Sequence, residues 1–206
     1  MQLLFGYILF SFVSAIVPAN NISSLVDKVK VDNNNFFSDT CFKKVKENIG
    51  SDLFVILEIP CEMRKSGIKR KNAIARYGKQ IDDDTFISIE ISNDTFHLIN
   101  NNEGIEKVIN VLLKKENLTD LGNVISSERI KINNIEGVKI LHHANVQTEQ
   151  GLVHDTFISY YLFPIGNYLK IKYCAGSKSS IKRDTYFKIW QKPFEIMAQK
   201  ISITKQ

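Results

Sequence analysis

The chain has 206 residues, of which 44% are hydrophobic and 24% charged, with a net charge of +5 and a pI near 9.0. This composition excludes wholesale disorder. The modest basic excess falls short of the concentrated stripe that nucleic-acid binding requires. Without a leader of about 19 residues, the length is that of one domain able to bury a real core.

Leu3 to Val17 is an uninterrupted apolar run without charged side chains. It is shorter than the roughly 20 residues of a membrane span and matches the apolar region of a signal peptide. Val17-Pro18-Ala19 and Val13-Ser14-Ala15 offer small residues for cleavage. The reading is a signal peptide over 1–19, and an exported, periplasmic or secreted product with no membrane span after cleavage. A buried N-terminal element and an uncleaved anchor are the alternatives.

Residues 20–50 read as a polar, Asn-rich extension with a short helix over 39–48, capped by Ser38-Asp39 and carrying Phe42, Val45 and Ile49 on one stripe. Leu53 to Ile59 is apolar at nearly every position, the pattern of a strand buried on both faces, and Pro60 ends it. A basic loop follows over 62–72, then a short strand over 73–77. Asp82-Asp83-Asp84 marks a turn, and Thr85 to Ser92 alternates with a period of two. Ile105, Val108, Ile109 and Leu112 lie at helical spacing, between Asn101 or Asn102 as cap and Lys114-Lys115.

The second half reads as a meander. Strands are expected over 129–132, 138–146, 152–163 and 168–175, with turns at 133–137, around Gln150-Gly151 and at 164–167. A helix is expected from Ser180 to Ile201, with Tyr186, Trp190, Phe194, Met197 and Ile201 as its apolar stripe and Pro193 kinking or splitting it. This order predicts an α+β fold: a three-layer α/β/α sandwich over 51–206 around a mainly antiparallel sheet.

The apolar strand ending in Ile59-Pro60, the central helix and the hairpin at Asn133–Gly137 resemble the PsbP-like α/β/α sandwich family. So do Tyr160-Tyr161-Leu162-Phe163 with the Gly166-Asn167 turn, and the close at Ile201-Ser202-Ile203. The resemblance runs from about 51 to 203. It implies a non-catalytic binding or accessory role and carries no ligand or catalytic residue onto this chain.

Chemistry-bearing residues are few. Cys41, Cys61 and Cys174 allow three disulfide pairings, and all three cysteines as buried thiols is a further reading. Cys41 with Cys61 would close a loop worth on the order of 3 kcal/mol. Cys61, close to Arg64 and Lys65, is the best candidate for an activated thiolate. His142 and His143 are adjacent on a strand and point to opposite faces, and a turn near 149 brings His154 beside one of them. Two imidazoles fall short of the ligand set of a zinc site. Arg64, Lys65, Lys69, Arg70 and Lys71 form the sharpest local charge and are candidates for binding an anion, a lipid headgroup or an acidic partner. Sequons begin at Asn21, Asn93 and Asn117.

Together these features read as a non-catalytic exported or envelope protein, with no catalytic residue, metal or cofactor assigned. Its partner is an unidentified protein or an anionic surface, and not nucleic acid. The alternatives are a small hydrolase or thiol enzyme using Cys61 or the His142, His143 and His154 strands, and a membrane-surface or anion binder working through the 64–71 loop.

Overall fold

The computed structural model describes residues 41–50, 52–67, 72–93, 102–114, 122–164 and 169–205. The chain runs β1 (Phe42–Gly50), β2 (Leu53–Pro60), β3 (Arg64–Lys65), β4 (Ala73–Asp82), β5 (Thr85–Ser92) and α1 (Asn102–Leu113). It continues β6 (Asn123–Ile132), β7 (Ile135–Thr148), β8 (Gly151–Leu162), β9 (Leu169–Ser177), α2 (Ser180–Gln199) and β10 (Ser202–Lys205).

A seven-stranded sheet has the order β3-β4-β5-β9-β8-β7-β6, and a three-stranded sheet the order β1-β2-β10. Every pairing in both is antiparallel. The β6–β7 turn is only Asn133-Asn134, both at positive φ, which asparagine tolerates and a two-residue hairpin loop demands.

Register fixes the two faces of the large sheet. Ile87, Ile89 and Ile91 of β5 stand opposite Ala175, Tyr173 and Ile171 of β9. Tyr173, Ile171 and Leu169 in turn stand opposite Ile158, Tyr160 and Leu162 of β8. This face meets α2 through Phe187, Trp190, Phe194 and Met197, and β2 through Val55, Leu57 and Ile59, in one apolar core. The alternate residues Val138, Ile140 and Tyr161 face the other way and pack against Val108, Ile109 and Leu112 of α1. The fold is thus mixed α/β, mainly antiparallel, with two helices among the described residues.

Three expectations need correction. The segment expected as a helix over 39–48 is strand β1 from Phe42 onward. Val45 and Ile49, four apart, share a strand face as readily as a helical stripe, and pairing with β2 decides between them. Secondly, β2 is closed on one face only: Val55, Leu57 and Ile59 are buried, while Phe54, Ile56 and Glu58 are half-buried on the other. Thirdly, α2 continues unsplit through Pro193 and stops at Gln199. Ile201 then leads into β10, which pairs with β2. The short strand over 73–77 and the 129–132 arm of the expected hairpin are also longer, ten residues each as β4 and β6, and the turn expected over 133–137 narrows to Asn133-Asn134 because β7 begins at Ile135.

Candidate functional site

Cys41 and Cys61 are joined by a disulfide at the open end of the β1–β2 hairpin, with their Cα atoms 5.4 Å apart. Cys61 N–H also donates to the Cys41 carbonyl at 2.8 Å. The Lys43 ammonium donates to the carbonyls of Cys61 (3.1 Å) and Met63 (2.9 Å), and so holds the segment that enters β3. Cys61 therefore has no thiol to ionise. The third cysteine, Cys174, is buried, and burial, reinforced by Asp155, pushes its thiol well above the ordinary value. A buried, protonated thiol is a poor nucleophile.

Of the basic cluster, two residues, Arg64 and Lys65, are described. Arg64 and Lys65 form β3, which pairs with Gly78 and Tyr77 of β4. Being consecutive, they face opposite ways. Lys65, on the α2 side, donates to Glu47 Oε1 at 2.6 Å. Glu47 also accepts from the Tyr77 hydroxyl, whose pKa is raised by burial first and then by this carboxylate. Arg64 is exposed on the other side. Lys69, Arg70 and Lys71 lie outside the described residues.

His142 and His143 point to opposite faces. His142 Nε2 lies 3.1 Å from Ser159 Oγ, and its ring stacks on Phe157 with centroids 4.8 Å apart. That distance suits a base–hydroxyl pair, yet both side chains are sealed, His142 at 3% and Ser159 at 0% exposure. On the α2 side, His143 Nδ1 meets Thr156 Oγ1 at 2.7 Å. Burial, then Arg183, lowers its pKa, with Asp184 opposing. His154 is paired with Asn145 rather than with either histidine, its Nδ1 2.8 Å from Asn145 Oδ1. Among the described residues, no group of three His, Cys, Asp or Glu side chains is gathered for a metal. At the sequon beginning with Asn93, the side-chain amide is engaged, donating to the Ile49 carbonyl at 2.8 Å. Asn21 and Asn117 lie outside the described residues.

Register reveals a grouping that linear reading missed. On the sheet face opposite α2, Ser159, Lys172, Glu90 and Arg76 form one row across β8, β9, β5 and β4. Beside it run Phe157, Cys174, Ser88 and Gly78, with Arg64 next to Gly78. Lys172 lies 3.5 Å from Glu90 and 4.6 Å from the Phe157 centroid. Lys170 lies 5.0 Å from the Tyr161 ring and Arg76 5.9 Å from Phe86. Three cations on this face thus stack on aromatic rings of the neighbouring strand. The residues are far apart in sequence, so only strand register brings them together. The alternating Lys170 and Lys172 were the available signal.

No family model matches the chain, and no curated protein matches it. Among solved structures, it is similar to PsbP (CyanoP) from Synechocystis sp. PCC 6803, at 11% identity over 80% of this chain and 94% of that one, with a TM-score of 0.49. It is similar to LpqN of Mycobacterium tuberculosis, described as involved in cell envelope biogenesis, at 12% identity over 83% and 96%, TM-score 0.48. A third likeness is to PA94 of Pseudomonas aeruginosa, a protein of unknown function described as a putative regulator, at 11% identity over 77% and 94%, TM-score 0.45. They assign neither a family nor an activity to this chain.

Proposed function

We propose that the protein is an exported, non-catalytic binding or accessory protein of the cell envelope or the extracellular space. The observation that carries this reading is the Cys41–Cys61 disulfide. Disulfides persist in oxidising compartments, and this one occupies the sulfur with the best prospects of thiolate chemistry. The two hydroxyl–imidazole pairs, Ser159 with His142 and Thr156 with His143, have both hydroxyls buried at 0% exposure, closed to a substrate. In this reading residues 1–19 are a signal peptide. Residues 20–50 are an extension, whose described end, β1, pairs with β2, and the domain follows from 51. The layers form an α/β/α sandwich of the PsbP-like kind, with the small sheet and α2 sharing one outer layer.

The test is expression of the full chain in a host with an active secretion route, followed by N-terminal sequencing of the product. The proposal expects material outside the cytoplasm beginning at Asn20 or Ile16. Material retained in the cytoplasm with an intact N-terminus would overturn it.

A further inference from the structure

On the outer layer that covers the α2 side, α2 buries Phe187, Trp190, Phe194 and Met197. The opposite stripe of the helix carries Ile181, Lys188, Lys192 and Gln199, all exposed. Beside α2, the small sheet buries Val55, Leu57 and Ile59 and turns Phe54, Ile56 and Glu58 outward. Register sets Lys46 opposite Ile56 and Lys44 opposite Glu58 on that outward face. The Lys46 ammonium lies 4.1 Å from the Phe54 centroid. Among the described residues, Lys44, Lys46, Lys188 and Lys192 form no ion pair. The acidic groups nearby are engaged: Glu58 with Lys200 at 2.6 Å, and Asp184 with Arg183 at 2.8 Å. Among the described residues, the outward faces of β1, β2 and α2 thus carry four lysines without an ion-pair partner, together with half-exposed Phe54 and Ile56 and, at the far end of α2, exposed Ile181, at 62%.

We propose that this outward surface of β1, β2 and α2 docks on an anionic lipid bilayer; the inference rests on the exported-binder reading and names its partner class. Lysines on flexible stems, acting as point charges, suit a diffuse layer of anionic headgroups. A defined carboxylate or phosphate pocket would draw on the bidentate arginine fork instead, and the arginine on this layer, Arg183, is paired with Asp184. Phe54, Ile56 and Ile181 supply apolar contact at the headgroup boundary, as on an interfacial amphipathic surface. α2 and β2 close on the same core, and with the small sheet and α2 in one outer layer, as the sandwich reading has them, these groups meet a bilayer together.

The experiment is co-sedimentation of the exported protein with vesicles of phosphatidylcholine alone or mixed with phosphatidylglycerol. Runs in roughly 0.01 M and 1 M salt span screening lengths of about 30 Å and 3 Å. Binding is expected only to the anionic vesicles and only at low salt. K44E/K46E and K188E/K192E should each weaken it about tenfold or more, with circular dichroism unchanged because the four side chains are exposed. Arg64→Glu, on the opposite sheet face, should leave binding unaltered. Equal binding to neutral vesicles, or indifference to both lysine pairs, would overturn the proposal. Retention on an immobilised acidic protein without vesicle binding would overturn the lipid assignment and leave the exported-binder reading standing.

Discussion

Across β5, β9 and β8 the two faces of the seven-stranded sheet carry largely opposite chemistry, while at Val138, Ile140 and Tyr161 the second face is apolar again, against α1. Towards α2, β5, β9 and β8 present Ile87, Ile89, Ile91, Ile171, Tyr173, Ile158 and Leu162, all buried in one continuous core. One residue over on the same strands stand Ser88, Glu90, Lys172, Cys174, Asp155 and Ser159. Burial of the first set releases apolar surface from water at about 25 cal/mol per Å². The second set gains little that way and must satisfy its polar atoms by pairing. The contrast separates what holds the fold from what specifies its register: a one-residue slip of any of these strands would exchange the two sets.

The largest effect expected from this contrast is on the apolar face. Phe194 is fully buried, 5.2 Å from the Tyr173 ring and 5.6 Å from Trp190, centroid to centroid. Phe194→Ala should cost about 3–5 kcal/mol in denaturant unfolding. A loss below about 1 kcal/mol would mean that α2 contributes little to the core.

On the polar face the effect should depend on leaving a partner stranded. Ser159→Ala alone should cost about 1–3 kcal/mol, because the buried His142 nitrogen loses its hydroxyl. S159A combined with H142F should recover most of that, since both polar groups go and the ring still stacks on Phe157. Strict additivity in the double-mutant cycle would dissolve the pair.

The smallest effect is a pH dependence at His143, beneath α2. Its folded pKa is depressed, so the folded state binds its proton less readily than the unfolded chain. Its neutral form supports the fold fully above about pH 6.5, and that support is lost as pH falls toward the depressed folded value. Unfolding curves of wild type and His143→Gln between pH 7 and 5 should converge on acidification. Parallel curves would remove His143 from the account.

Much of the fold was legible in local pattern. The β5 alternation, the α1 stripe and a turn after Ile132 are short-range signals, and each formed its element, the turn shorter than the expected 133–137. Two of the failures share one cause. β1 and β10 are strands because of what they pair with, namely β2 from either side, and an Asn- and Lys-rich segment or a four-residue tail carries no such instruction by itself. The same holds for the candidate sites. Arg64 and Lys65 are adjacent in sequence and divided by the pleat, whereas Arg76, Glu90, Lys172 and Ser159 are scattered and joined by register. The outward lysines of β1 and α2 were visible singly, but nothing local says that α2 and the small sheet close on the same core.

Thiol counting tests the central claim, an exported binder whose sulfur chemistry is closed, most directly. The three cysteines are probed in the native protein, after unfolding without reductant, and after unfolding with reduction. No thiol should react rapidly in the native state, Cys174 alone should react on unfolding, and Cys41 and Cys61 should react only after reduction. A fast native reaction that mass mapping places on Cys61 would contradict that claim.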